Sequence, residues 1–164
     1  MALVRQMHNN TDNNWIQHAI KLAIDSVANG GGPFGAVIVK DEAIIGRGNN
    51  QVTLINDPSA HAEIVAIRDA CKSLNDFNLE NCTLYSSCEP CPMCLAAIYW
   101  ARISRVVYAA SGMDAAQAGF DDTFIANELC LPHEQKTLTI EHCQCDNHLQ
   151  CFTDWNNKTN KTVY

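Results

Sequence analysis

The chain reads as one α/β domain of three layers, α/β/α, around a mixed central sheet. Three observations predict this. A helical pattern ends in a glycine cluster and is followed directly by two apolar runs meeting at a tight turn. Further on, short apolar runs alternate with helical patterns, which is how a sheet covered on both faces is written. The 164 residues, 47% hydrophobic and 18% charged, suit one sizeable core without staples.

The elements follow in order. From Thr11 or Asp12, either an acceptable N-cap, Trp15, Ile16, Ala19, Ile20, Ala23, Ile24 and Val27 recur at helical spacing. Asn29-Gly30-Gly31-Gly32-Pro33 stops that helix. Phe34 to Lys40 is expected as a strand, Asp41-Glu42 as a turn, and Ala43 to Asn49 as the antiparallel partner. Asn50 to Pro58 is polar and irregular, after which Ser59 is expected to cap a helix running to about Lys72. A loop, Ser73 to Asn81, leads to a strand at Cys82 to Ser86 and a helix from about Pro90 to Trp100. Arg105 to Ala110 reads as another buried strand and Ser111 to Asp122 as loop. A short helix from Thr123 to Leu129, a last strand at Leu138 to Glu141, and a helix from Asp146 to Asn157 complete the expectation. No internal repeat or linker interrupts it, so a single domain over residues 1–164 is expected.

Composition narrows the function classes. A formal net charge of −7 argues against gripping phosphate backbones and favours a small-molecule partner. The longest apolar run, Cys94 to Ala101, falls well short of the ~20 residues that cross a bilayer. Nine cysteines, an odd number, and a start that turns polar within ten residues lead us to expect a reducing, cytoplasmic setting.

Two short stretches carry the chemistry: Ser59-Ala60-His61-Ala62-Glu63 and Cys88-Glu89-Pro90-Cys91-Pro92-Met93-Cys94. Cys91-x-x-Cys94 has zinc spacing, and its place at a helix start favours the thiolates zinc needs. With His61 this makes three ligands and leaves a position for water, while Glu63 remains as a carboxylate beside the metal. Cys88-x-x-Cys91 has the same spacing, but the flanking prolines put Cys91 and Cys94 one helical turn apart and leave Cys88 at the strand end. His142, Cys143, Cys145 and His148 match no recognisable metal spacing. Taken singly, Cys-x-x-Cys reads equally as a redox pair, His61 as an ordinary histidine and Glu63 as a helix-capping carboxylate.

His61-x-Glu63 followed by Pro90-Cys91-x-x-Cys94 resembles the signature of zinc nucleobase deaminases. Gly31-Gly32-Pro33-Phe34-Gly35-Ala36, Asn56-Asp57-Pro58-Ser59-Ala60, Ser87-Cys88-Glu89 and Ala118-Gly119-Phe120-Asp121-Asp122 extend the likeness to the guanine deaminases of the cytidine deaminase-like fold. The resemblance implies that His61, Cys91 and Cys94 hold one zinc ion and that Glu63 shuttles protons. It implies that Asn50 hydrogen-bonds the purine, that Asp122 and the terminal Tyr164 recognise guanine's edge, and that the protein is a homodimer able to exchange C-terminal segments. Phe34 and Trp100 either line the purine or pack in the core. The implied reaction is hydrolysis of guanine to xanthine and ammonia by a zinc-activated water, a step of guanine catabolism. A guanosine deaminase is the nearest alternative. A tRNA adenosine deaminase shares the signature but fits the acidic charge poorly, and a non-catalytic zinc-stabilised interaction module would have no use for Glu63.

Overall fold

The computed structural model describes residues 2–164, with side chains from Thr11 onward. It divides into two compact units, Met1–Phe124 and Ile125–Tyr164. The first contains α1 (Ala2–Ala28), β1 (Gly35–Lys40), β2 (Ala43–Asn49), α2 (Val52–Ile55), α3 (Ala62–Leu74), β3 (Thr83–Cys88), α4 (Pro92–Trp100), β4 (Arg105–Ala110) and α5 (Gly112–Gln117).

The sheet has the order β2-β1-β3-β4, with β1 antiparallel to both neighbours and β3 parallel to β4. The expected mixed sheet is therefore present. Strand alternation sends successive side chains of β1 to opposite faces. Ala36 and Ile38 pack with Leu84 against Ala62, Ala66 and Ala70 of α3 and Ile98 of α4. Val37 and Val39 pack with Tyr85 against Ile16 and Ile20 of α1. The sheet is thus covered on both faces. Ile38 and Leu84 are fully buried, each contributing roughly 1.5–3 kcal/mol from the area withdrawn from water.

β2 lies unusually close to α3. A Cβ on Gly48 would sit 2.0 Å from the Ala62 carbonyl oxygen, and one on Gly46 would sit 2.5 Å from that of Ala66. Two glycines facing three alanines let the helix backbone rest almost directly on the strand.

Several elements depart from expectation. α1 begins ahead of Thr11 and Asp12, so neither caps it. Asp12 instead accepts from both terminal nitrogens of Arg105, at 2.8 and 2.6 Å, and from the Tyr85 hydroxyl at 2.8 Å, tying α1 to the sheet. Ser59 closes a local turn on Asp57, and the N-cap of α3 is His61. The polar stretch after Asn50 includes the single turn α2. Ser111 to Asp122 contains α5, started by a reciprocal capping box between Ser111 and Asp114. β4 is a half-exposed edge strand rather than a buried one, because only β3 pairs with it among the described residues.

The second unit takes in most of α6 (Thr123–Cys130), a 3-10 turn at His133–Gln135 and α7 (Gln150–Asn157). Within it, Thr137 donates through its backbone nitrogen and hydroxyl to the Glu128 carboxylate, at 2.8 and 3.0 Å. Leu138 to Glu141 is not a strand, since four residues without a partner have no ladder to join. α7 starts four residues later than expected. Among the described residues, no helix is long and apolar enough to cross a membrane.

Candidate active site

The two motif stretches meet where α3 and α4 begin. His61 and Cys91 are the N-cap residues of these helices, both with extended backbone (φ −69°, ψ 156° and φ −63°, ψ 166°). Neither side chain caps its own helix, so both are available to face each other. Pro92, at the first position of α4, suits the fixed φ of that site, and Cys94 follows within the same turn.

His61 Nδ1 lies 3.5 Å from Cys91 Sγ and 3.6 Å from Cys94 Sγ. All three ligand atoms fall within 4.8 Å of one another. A tetrahedral zinc with ordinary Zn–N and Zn–S bonds separates nitrogen from sulfur by about 3.6 Å, so the cluster fits zinc. Charge supports the same reading. The Cys94 thiol, hydrogen-bonding to Cys91, brings Cys91 down to about 4, with His61 adding to the effect. Cys94 is pushed up by the same contact and by burial, and His61 is raised chiefly by its hydrogen bond to Cys91. A bound cation would hold both cysteines as thiolates, the form in which they ligate zinc.

Glu63, in the first turn of α3, is 5% exposed. Its Oε1 accepts from Ser86 Oγ at 3.0 Å, and Cys94 Sγ lies 3.4 Å from Oε2. Burial raises its proton affinity above that of an ordinary carboxylate. The structure thus sets one buried carboxylate against a three-ligand cluster.

His61, Glu63 and Cys91 line a cavity of about 760 Å³. Phe34, Asn50 and Asp122 line it as well. Phe34 meets Phe120 edge to face with ring centroids 4.9 Å apart. Asn50 is 7% exposed; its backbone nitrogen donates to Phe34 O at 3.0 Å and its Oδ1 accepts from Val52 N at 3.2 Å. Trp100 does not line this cavity. It ends α4, is 68% exposed, and borders a shallow surface hollow with Tyr99 and Arg102. Helix α4 is apolar nearly all round, so its sequence does not mark which side is buried; the structure buries Cys94 and Ile98. Tyr164 belongs to the second unit and is 69% exposed.

Cys88 is buried at the end of β3, with its Sγ 3.6 Å from Ser111 O, and is outside the ligand cluster. Cys143, Cys145 and Cys151 are exposed and free, and among the described residues they join no metal-competent group. Sequence reasoning passed over Ser86, Phe120 and Glu89. Glu89 lines the cavity and accepts from Gly112 N at 3.0 Å. The polar pair Ser86-Ser87 in an otherwise apolar strand was the available signal for the first.

Residues 9–110 match the family model described as the cytidine and deoxycytidylate deaminase zinc-binding region. The chain is 54% identical over 151 residues to guanine deaminase from Bacillus subtilis, covering 92% of this chain and 97% of that protein. It is 43% identical over 114 residues to a tRNA-specific adenosine deaminase from Buchnera aphidicola, covering 70% and 76%. The X-ray structure of Bacillus subtilis guanine deaminase superposes with a TM-score of 0.90, at 54% identity, over 93% of this chain and 98% of that one. With a His-Cys-Cys cluster of zinc dimensions inside the matched region, the chain belongs to the cytidine and deoxycytidylate deaminase zinc-binding family.

Proposed function

We propose that this chain hydrolyses guanine to xanthine and ammonia. The observation that carries this reading is the buried Glu63 carboxylate beside a cluster that, among the described residues, has three ligands, His61, Cys91 and Cys94, with His61, Glu63 and Cys91 on the wall of a cavity. A structural zinc site takes four protein ligands and has no role for a neighbouring acid. The high identity to a guanine deaminase along nearly the whole chain supports guanine over other bases.

In this reading His61, Cys91 and Cys94 hold the zinc, which when bound supplies a Lewis acid that makes water acidic near neutral pH. Glu63 takes the proton from the attacking water and returns protons to the purine ring and the departing amine. Its raised proton affinity suits a group that must accept and then release within one turnover. Water adds at the amino-bearing C2, the C2–N bond breaks, and ammonia leaves. Asn50 has its Oδ1 engaged by Val52, so its amide nitrogen is the group offered to the purine. Asp122 accepts the N–H donors of guanine's edge, and Tyr164 completes that recognition. Phe34, steadied by Phe120, packs against the ring. A purine with the wrong donor pattern would leave such groups unpaired, at about 1–3 kcal/mol each. We assign no substrate contact to Trp100 of the same chain.

We further propose that residues 1–164 act as one deaminase domain in a cytoplasmic homodimer that exchanges C-terminal segments. The free cysteines suit a reducing compartment, and the net charge of −7 favours a free base over tRNA as substrate. Ammonia release by the zinc-loaded protein on guanine, guanosine, adenine, adenosine and cytosine tests the assignment. Guanine is expected to be turned over fastest; preference for guanosine would replace the substrate, and no release from any of the five would remove the reaction.

A further inference from the structure

We propose that Ser86 is a positioning residue for Glu63, its hydroxyl fixing the carboxylate in the orientation from which it moves protons. The inference rests on the deaminase reading of the site. It starts from the sheet face on which Ser86 stands. Register pairs Ser86 with Ala36 and Leu84 with Ile38, and all four belong to the side covered by α3 and α4. Ala36, Ile38 and Leu84 are apolar and wholly buried. Ser86, 1% exposed, puts a hydroxyl among them, which costs free energy unless the group is bonded.

Both capacities of that hydroxyl are used. Its oxygen receives Cys88 N at 3.4 Å, and its proton goes to Glu63 Oε1 at 3.0 Å. Occupying the oxygen from one side directs the proton to the other. The contact joins the end of β3, from which the Cys91 loop departs, to the first turn of α3. On its other oxygen Glu63 meets Cys94 Sγ, at 3.4 Å, and its own backbone N–H also reaches the carboxylate. As a zinc ligand Cys94 is a thiolate with no proton to give, which makes Ser86 the side-chain donor that holds the carboxylate. A serine kept merely as a small core residue would be replaceable by alanine, which has nearly the same volume.

The test compares wild type, Ser86→Ala and Ser86→Thr on whichever base of the ammonia-release panel wild type turns over fastest. Using that base separates a wrong substrate assignment from a wrong role for Ser86. In Ser86→Ala, kcat should fall about 10- to 100-fold, the loss expected for a hydrogen bond to a charged group, with KM changed by less than about twofold. Zinc should stay at one per chain and the melting temperature close to wild type. Ser86→Thr, which keeps the hydroxyl and suits a strand, should recover most of the rate. A crystal structure of Ser86→Ala should show the Glu63 carboxylate displaced or in several conformations. Its position is decisive by itself if no base is turned over or if the threonine variant does not fold. An Ala variant with wild-type kcat, one that loses zinc along with activity, or one whose Glu63 has not moved would overturn the proposal.

Discussion

Gly48→Ala should damage the site from the far side of α3. The added Cβ would sit 2.0 Å from the carbonyl oxygen of Ala62 and 2.5 Å from the nitrogen of Ala66. Carbon and carbonyl oxygen tolerate about 3.3 Å, so the helix must retreat by roughly 1.3 Å or the strand must bow away. Neither neighbour is a flexible side-chain end, since both contacts are to backbone. Overpacking of this kind costs about 3 kcal/mol, the upper part of its usual range. For a chain of this size that lowers the melting temperature by about 6–12 °C. Ala62 stands between His61 and Glu63, so the same push moves both groups off their partners. A displacement near 1 Å costs on the order of 100-fold in rate. Gly46→Ala supplies the control, because its clash falls on Ala66 and Ala70, farther along α3 from His61. It should match Gly48→Ala in melting temperature and lose less activity. Thermal melts, zinc content and steady-state kinetics of the two variants measure this. If Gly48→Ala melts within about 1 °C of wild type and keeps its rate, the close approach of β2 to α3 is not what sets the site.

Four other variants have definite expected outcomes. His61→Ala should bind far less zinc by elemental analysis, whereas Glu63→Ala should keep its zinc and lose turnover; unchanged metal in the first or near-normal rates in the second would refute the assigned roles. Burial, reinforced by Asp12, pushes Tyr85 up to about 12 from the usual 10. The folded protein therefore holds that proton longer than the unfolded chain. The stability it represents is present below about pH 10 and is lost as pH rises through 12, a decline that Tyr85→Phe should flatten in alkaline melts. Deleting Tyr164 should lower guanine turnover without changing the melting temperature, and wild-type kinetics after the deletion would remove it from substrate recognition.

The parts of the site that could be read from the sequence are those made by neighbours in the chain. Cys91 and Cys94 share a turn, and Pro92 between them marks where the helix begins. Two features were missed because a local signal was outweighed. Ser111 and Asp114 stand at capping-box spacing, yet the small and polar residues around them read as loop. The apolar run of β4 reads as buried, although an edge strand with one partner leaves half of it to solvent.

By itself the sequence determined the residue types of a metal-competent His-Cys-Cys set, the carboxylate at Glu63, the order of most helices and strands, and the family. These depend on residue type and on spacings of a few residues, which local backbone geometry converts directly into placement. Only the tertiary structure decided that Ser86 hydrogen-bonds Glu63, that Phe120 meets Phe34, that Trp100 is outside the cavity lining, and that Gly48 lies against the backbone of α3. Each of these is a contact between elements far apart in the chain, or a choice among faces of a helix apolar all round. Neither is encoded in any short window, because the energy that selects it comes from packing the two cores on the sheet.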